Sequence, residues 1–228
     1  MPESFADPLR YEGVNDGGTA CILDAAWSAG VRRVVLAGSA AVYGEGGERP
    51  LREEDPFDPR SPYAASKVAM EALGRVYAHR GMALTILRYF NVYGPGSTSQ
   101  AVVPRFVRRA TAGLPLEIEG DGHQLRDFVH VDDVARANVL ALYGQAGTIN
   151  IGSGVGRSIL ELGQRVRAHH VRCELRFVPA REQELRKSVA DIRRAQDLLG
   201  WVPRIELEEG LVRLLRRGLG VHLAAGGS

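Results

Sequence analysis

Residues 34–67 decide the fold. They comprise VVLAGSAAVYG (34–44), a loop rich in Pro, Asp and Arg, and then SPYAASK (61–67). The apolar run at the start predicts a β-strand that leads into Gly38 and Ser39. Ser61 followed by Pro62 predicts the start of a helix, because Ser is a preferred N-cap and Pro is favoured at the first helical position.

Tyr63 and Lys67 are four residues apart on the predicted helix, so they lie on one face with the ammonium close to the phenol. A neighbouring cation favours the phenolate form, and such a tyrosine can act as a general base near neutral pH. The same spacing is also common on solvated helix faces. Composition favours the functional interpretation: Lys occurs only at positions 67 and 187, so 27 of the 29 basic residues are Arg. Arg differs from Lys in shape, hydration and hydrogen-bond geometry.

Five motifs carry a family resemblance, and they are GSAAVYG (38–44), SPYAASK (61–67), RYFNVYGP (88–95), GDGHQLRDFVHVDDVARAN (120–138) and NIGSG (150–154). In order and spacing they resemble the extended short-chain dehydrogenase/reductase family of nucleotide-sugar epimerases and dehydratases. The closest likeness within it is to the UDP-glucose 4-epimerase group. The resemblance covers nearly the whole chain, but only part of the family's length.

The resemblance implies an α/β fold with a partial Rossmann-like parallel sheet and a smaller α/β lobe that binds substrate. Residues 1–92 and 126–150 would form the C-terminal part of the NAD-binding Rossmann domain, and residues 93–125 and 151–228 the nucleotide-sugar-binding lobe. Independently of the resemblance, strands at 31–36 and 83–88, separated by the Tyr63 helix, predict a parallel βαβ unit with a right-handed crossover.

A Gly-rich phosphate-binding turn is missing from the expected place. A Rossmann domain begins with a strand that runs into such a turn, followed about 20 residues later by an acid for the ribose. The GSGVG stretch at 152–156 precedes no βαβ unit, so we expect a flexible turn before a helix capped by Ser158, with Glu161 completing a capping box. Compared with the family, the chain is expected to start after the first four strands and to lack half of the cofactor cradle.

NAD is the cofactor that the resemblance implies, although the missing cradle predicts weak binding by this chain. The matching cofactor contacts are Asn15, Ser39, Tyr63 and Lys67, and the catalytic residues are Ser39, Tyr63 and Lys67. Spacing alone favours a second interpretation for Asn15, as the cap of a helix over residues 16–29 that follows fourteen residues of loop and helix entry.

Asn91, Arg126 and Arg181 match the family's substrate-binding residues. A guanidinium suits a diphosphate, since it offers a fixed fork of donors to phosphate oxygens. Asn91 is equally well explained as a turn residue at a strand end. After Arg181 the family commonly has Pro-Gly-Asp, whereas this chain has Glu-Gln-Glu at 182–184, which places two additional carboxylates near the expected diphosphate.

Ala40 and Ala41 indicate the reaction. In the family's dehydratases and decarboxylases, acidic residues after the serine or threonine assist elimination or handle a carboxylate, and a methyl group cannot transfer a proton. The expected function is therefore NAD-dependent 4-epimerisation of a nucleotide sugar of the UDP-glucose/UDP-galactose type, by transient oxidation at C4.

Several alternatives remain open. Within the family, the substrate could be UDP-glucuronate or a UDP-N-acetylhexosamine. Outside it, the chain could be an inactive truncated remnant that binds a nucleotide sugar or pairs with a full-length homologue. The family usually dimerises through the helices that match residues 16–29 and 62–77, so a homodimer or other self-association is expected.

Composition excludes other classes. The 228 residues are 45% hydrophobic and 25% charged with a net charge of +2, which predicts a globular domain and neither nucleic acid nor membrane as a partner. Cys21 and Cys173 do not indicate a disulfide framework. His169, His170 and Cys173 fit no compact ligand spacing, so no metal is expected. Without an apolar run of 18 residues or a leader pattern, the expected location is the cytoplasm.

Overall fold

A computed structural model describes residues 2–97, 100–169, 173–180 and 184–225, with side chains described from residue 3 to residue 216 of these ranges. The helices of this part are α1 Pro2–Ala6, α2 Pro8–Glu12, α3 Gly18–Ser28, α4 Pro62–His79, α5 Val102–Thr111, α6 Val131–Ala141, α7 Ile159–His169, α8 Arg193–Leu199 and α9 Leu207–Ala225. The strands are β1 Arg33–Ser39, β2 Ala83–Tyr89, β3 Asn91–Tyr93, β4 Leu116–Glu119, β5 Leu125–His130, β6 Gly147–Ile151, β7 Gly156–Ser158, β8 Leu175–Val178 and β9 Lys187–Ser188.

The main sheet has the order β1-β2-β6, and all of its pairs are parallel. Arg33 pairs with Ala83 and Ser39 with Tyr89, so the strand ends are level. α4 connects β1 to β2, which confirms the predicted βαβ unit. Within the described residues β1 is at the end of the sheet order, with a partner on one side only.

Helices cover both faces of this sheet, as in a doubly wound fold. On one face Leu36 and Ile86 pack in a cluster with Leu23 of α3 and Met70 of α4. On the other face Ile149 packs in a cluster that also contains residues of α6, α8 and the segment after α8, namely Val134, Ala137, Ala195 and Trp201. The predicted α/β class with a Rossmann-like parallel sheet is confirmed.

The remaining strands form two smaller sheets. β5 pairs with β3 and β9 in parallel and with β7 antiparallel, and β4 pairs with β8 in parallel. α5, α7 and α9 contribute to the apolar cluster in this part of the chain, which includes the buried side chains Phe106, Ile118, Leu162 and Leu211. The boundaries given above for the two lobes stay a prediction.

The N-terminal segment differs from the expected loop. α1 and α2 each begin at a proline, and the carboxylate of Asp7 accepts a hydrogen bond from the backbone nitrogen of Arg10 at 3.2 Å. A π-helical turn, Gly13–Gly17, then connects α2 to α3. The predicted helix over residues 16–29 therefore begins at Gly18, and residue 16 belongs to the π-helical turn.

His130 and Asp133 hold the start of α6 and the segment before α9. α6 begins at Val131, and its N-cap is His130, whose Nδ1 accepts a hydrogen bond from the backbone nitrogen of Asp132 at 3.2 Å. Asp133 does not cap the helix. Its buried carboxylate accepts hydrogen bonds from the backbone nitrogens of Arg204 and Ile205, at 3.0 and 2.9 Å, and so holds the segment before α9.

Candidate active site

Ser39 ends β1 at the carboxyl edge of the parallel sheet, the edge at which ligands bind in open α/β folds. Its backbone is extended, and its Oγ accepts a hydrogen bond from the backbone nitrogen of Ala41 at 3.2 Å. Ala40 then opens a short 3₁₀ turn that runs to Tyr43. The side chain of Ser39 is therefore held at the sheet edge by the turn that follows it.

Tyr63 and Lys67 occupy the first two turns of α4. Ser61 caps this helix as predicted, since its side chain accepts from the backbone nitrogen of Ala64 at 3.1 Å. The Nζ of Lys67 lies 5.9 Å from the centroid of the Tyr63 ring. The helix therefore brings the ammonium to the phenol ring, as the four-residue spacing predicts.

Lys67 also connects α4 to β1. Its Nζ donates to the carbonyl oxygen of Ala37 at 2.8 Å, two residues before Ser39. Burial lowers the pKa of the Lys67 ammonium, and the carboxylate of Glu71 opposes this effect. Lys67 thus links the start of α4, which carries Tyr63, to the end of β1, which carries Ser39.

Asn15 reaches the same helix. It lies in the π-helical turn, and its Nδ2 donates to the Oγ of Ser66 at 2.9 Å. Gly17 is the N-cap of α3 and makes no side-chain capping bond, so the interpretation of Asn15 as a helix cap is wrong.

Tyr11 is a neighbour of Tyr63 that the sequence reasoning missed. The two rings meet edge to face, with their centroids 6.0 Å apart. The hydroxyl of Tyr11 donates to Glu3 at 3.3 Å, and Gln100 donates to the other carboxylate oxygen of Glu3 at 2.7 Å. The spacing of four residues between Tyr11 and Asn15 was a signal that both face one way.

Of the three predicted substrate residues, the structure describes two. Asn91 is the first residue of β3 and is exposed. Arg126 lies in β5, where its Nη2 pairs with Glu184 at 3.4 Å and its Nη1 donates to the carbonyl oxygen of Leu125 at 2.9 Å. Burial lowers the pKa of Arg126, and the carboxylates of Glu184 and Glu45 oppose this effect. Arg181 lies outside the described residues.

A buried polar network lies beneath the Tyr63 face of α4. The guanidinium of Arg88 donates to both carboxylate oxygens of Glu71, at 2.8 and 2.6 Å, and to the hydroxyl of Tyr43 at 2.7 Å. Tyr43 donates in turn to the Oδ1 of Asn150 at 2.6 Å, and Glu53 accepts from the backbone nitrogen of Asn150 at 2.8 Å. In the sequence, this network is indicated by Arg88, the only charged residue in the apolar segment LTILRYF (84–90).

The turn at residues 152–154 also has a structural role. Asp127 is fully buried, and its carboxylate accepts hydrogen bonds from the backbone nitrogens of Ser153, Gly154 and Ala190. Burial raises the pKa of Asp127, and these bonds oppose the effect. The turn is therefore clamped onto β5, whereas the sequence predicted a flexible one.

Ser158 caps the helix after this turn as predicted, but among the described contacts Glu161 does not complete the capping box. The Oγ of Ser158 accepts from the backbone nitrogen of Glu161 at 2.9 Å. The carboxylate of Glu161 forms ion pairs with Arg157 at 3.0 Å and with Arg165 at 2.8 Å, which lie four residues before and after it.

The described residues contain no group of His, Cys, Asp and Glu side chains that could hold a metal ion. Both cysteines are free thiols: Cys21 is exposed, and Cys173 is buried and donates to the carbonyl oxygen of Leu114 at 3.0 Å. In the part of the chain that the structure describes, no helix is both long enough and apolar enough to span a membrane.

A strand of a parallel sheet that ends at a serine, followed by a helix with Tyr and Lys four residues apart, is the arrangement of extended short-chain dehydrogenase/reductases. Residues 1–152 match the family model described as the NAD dependent epimerase/dehydratase family. The chain belongs to this family, and its resemblance to nucleotide-sugar epimerases is confirmed.

The relatives share most of the present chain. The UDP-glucuronate 4-epimerase of Thermodesulfobacterium geofontis is 34% identical over 92% of this chain and 66% of its own length. The crystal structure of UDP-glucose 4-epimerase from Thermotoga maritima with UDP-glucose has a TM-score of 0.90 and 33% identity, and the match covers 96% of this chain and 74% of that one.

A third relative is named for another sugar. It is the UDP-N-acetylglucosamine 4-epimerase of Methanobrevibacter ruminantium M1 in complex with UDP-N-acetylmuramic acid, with a TM-score of 0.92, 30% identity, and coverage of 97% of this chain and 74% of that one. The chain thus spans about two thirds to three quarters of the length of these relatives.

Proposed function

We propose that this chain carries the proton-transfer residues and the nucleotide-sugar lobe of an NAD-dependent 4-epimerase of the UDP-glucose/UDP-galactose type. The observation that carries the proposal is the position of Lys67, whose ammonium lies beside the Tyr63 ring and is fixed to Ala37 at the end of β1. This arrangement places a cation beside a candidate general base, near the edge of the sheet where ligands bind.

The donor set near Lys67 fits the ribose of a dinucleotide. An ammonium has three hydrogens, and the described structure uses one on the Ala37 carbonyl and one on the weak acceptor Sδ of Met70. Lys67 can therefore donate to a ribose hydroxyl while it stays beside Tyr63. When bound, NAD supplies the hydride acceptor and donor for oxidation and reduction at the sugar C4.

The chain's own residues would move the proton and hold the substrate. Tyr63 takes the proton of the C4 hydroxyl as the carbon is oxidised and returns it when the carbon is reduced on the opposite face. Ser39 orients this hydroxyl with a hydrogen bond, and Lys67 stabilises the phenolate. Asn91, Arg126 and Arg181 would hold the diphosphate of the nucleotide sugar.

The sequence after Ser39 favours epimerisation over dehydration. Elimination of water needs a further acid or base beside the sugar. Ala40 and Ala41 are methyl side chains at the start of the 3₁₀ turn and can supply neither. With Tyr63 as the only proton carrier assigned, the chemistry is reversible oxidation at a single carbon.

A second candidate function is a non-catalytic subunit that binds a nucleotide sugar or pairs with a full-length homologue, including a second copy of itself. Two observations favour it: the described part of β1 is paired on one side only, and none of the described strands is followed by a GxGxxG turn. A polypeptide of these residues should therefore purify without stoichiometric NAD and should self-associate or need a partner.

The experiment supplies the 228-residue chain with NAD and UDP-galactose, UDP-glucuronate or UDP-N-acetylglucosamine in separate reactions, and identifies the products by mass and chromatography. The proposal predicts UDP-glucose from UDP-galactose, at a higher rate than turnover of the other two. A 4-keto-6-deoxy product would contradict it. Tight binding of UDP by calorimetry without turnover would support the second candidate.

A further inference from the structure

Ser66 lies between Tyr63 and Lys67 on α4 and is not used in the proposed chemistry. Its side chain is 5% exposed. The Oγ donates to the carbonyl oxygen of Tyr63 at 2.9 Å and accepts from the Nδ2 of Asn15, also at 2.9 Å. Because a hydroxyl has a single hydrogen, these two bonds fix its orientation.

The hydroxyl is not needed to form the helix. Ala is the best helix former, and a serine that bonds back to the preceding turn slightly destabilises and often bends a helix. The same helix has Ala at positions 64, 65 and 69, so a small side chain without a hydroxyl is accommodated nearby. The particular contribution of Ser66 is therefore its bond to Asn15.

Asn15 reaches Ser66 from an unusual backbone. The π-helical turn Gly13–Gly17 has glycine at both ends and separates α2 from α3. Such turns are rare and occur frequently at functional sites. The bond from Asn15 to Ser66 joins positions 51 residues apart in the sequence, and it ties this turn to the part of α4 that carries Tyr63.

A contact of this kind can stabilise the start of α4, because helix ends fray. Tyr63 is the second residue of the helix, directly after Pro62. A displacement of about 1 Å in a catalytic group can reduce a rate about 100-fold. A contact that holds the Tyr63 backbone therefore affects the position of the phenol without touching it.

We propose that Ser66 is a positioning residue that links Asn15 to the backbone of Tyr63 and so fixes the Tyr63 ring beside Lys67 and Tyr11. The inference rests on the proposed role of Tyr63 as proton carrier. It concerns the geometry of the resting chain, however, and is therefore tested without turnover.

The test uses the 228-residue chain with ¹³C-labelled tyrosine rings. Tyr63→Phe identifies the Tyr63 signals, and ring-to-ring contacts with Tyr11 report its position. In Ser66→Ala the Tyr63 signals should shift and the Tyr11 contact should weaken, while hydrogen exchange of the amides of residues 64–67 becomes about tenfold faster. Asn15→Ala should produce the same changes, and the double variant should add little to them.

Ser66→Thr keeps the hydroxyl and should restore the wild-type signals. Thr111→Ala is the matched control, since the hydroxyl of Thr111 bonds back to Val107 at 2.9 Å within α5, and its loss should leave the Tyr63 signals unchanged.

Wild-type signals and exchange in a folded Ser66→Ala would overturn the proposal. So would a folded Ser66→Thr that behaves like Ser66→Ala, because size rather than the hydroxyl would then matter. Should Ser66→Ala not fold, Asn15→Ala and Ser66→Thr decide by the same two readouts. Absence of turnover in the unsubstituted chain would count against the proposed function. It would not affect the tyrosine-ring signals or the hydrogen exchange that test the role of Ser66.

Discussion

One helix, α4, carries two polar clusters of opposite character. At its start, Tyr63 and Lys67 are half-buried, and the described structure gives the phenol oxygen of Tyr63 no hydrogen-bond partner. Two turns later, Glu71 is fully buried against Arg88, which also donates to Tyr43 and to the carbonyl oxygen of Glu53. The first cluster has unused donors and acceptors, and the second has used nearly all of them.

The difference separates reactivity from stability along a single element. A buried charge is tolerated only when it is paired and hydrogen-bonded, so the Glu71–Arg88 cluster can hold α4 on β2 but has little capacity left for a ligand. Groups with unused hydrogen-bonding capacity can instead bind a cofactor or move a proton. The four-residue steps from Tyr63 to Lys67 and from Lys67 to Glu71 place both functions on one face.

The largest loss of stability in the Glu71–Arg88 cluster is expected for Arg88→Ala. It leaves the carboxylate of Glu71 buried with its main partner removed, and such losses cost about 3–5 kcal/mol. Arg75→Ala is the control, because Arg75 pairs with the same carboxylate at 3.4 Å but is about half exposed. It should cost about 1 kcal/mol or less. Urea unfolding of both variants measures the difference, and equal losses would contradict a structural role for the buried pair.

A smaller effect is expected for Tyr43→Phe. The change removes the hydroxyl that joins Arg88 to Asn150, and both partners then lose a buried hydrogen bond, at a cost of about 1–3 kcal/mol. Tyr77→Phe is the control, since the hydroxyl of Tyr77 makes a long, exposed bond of 3.5 Å to Asp24. In chemical unfolding, the free energy of unfolding of Tyr43→Phe should be clearly lower than that of Tyr77→Phe. A difference within experimental error would mean that the network is not held together through Tyr43.

The smallest effect concerns pH and a surface ion pair outside α4. Hydrogen bonds from Arg193 lower the pKa of Asp191 to about 2, below its ordinary 3.8. Its contribution to stability is therefore present above about pH 4 and lost as the pH falls toward 2. Between pH 5 and 2, Asp191→Asn should lose less stability than the wild type, and Arg193→Ala should behave in the same way. Parallel curves for all three proteins would show that the pair does not contribute.

The sequence predicted the parts of the fold that depend on local pattern. The βαβ unit around Tyr63, the Ser61 and Ser158 caps and the approach of Lys67 to Tyr63 all follow from strand patterning, capping preferences and the helical repeat. The assignment to the epimerase family came from five motifs in order, which individually were weak.

Contacts between distant segments could not be predicted in this way. α1 and α2 are single-turn helices, which are unstable in isolation and form here against α4 and the segment at Gln100. The partners of Arg88 come from three separate segments, and the partners of Asp127 lie more than 25 residues away along the chain. Neither set leaves a periodic signal in the sequence.

The most direct measurement is the comparison of Tyr63→Phe with Tyr77→Phe in an assay for conversion of UDP-galactose to UDP-glucose, with NAD supplied and UDP binding followed by calorimetry. If Tyr63 carries the proton, its substitution should lower kcat by about 100-fold to 10⁴-fold and change the Kd for UDP less than about twofold. Tyr77→Phe should leave both values unchanged. Equal losses of rate and of UDP binding in Tyr63→Phe would contradict the assignment and identify Tyr63 as a structural residue.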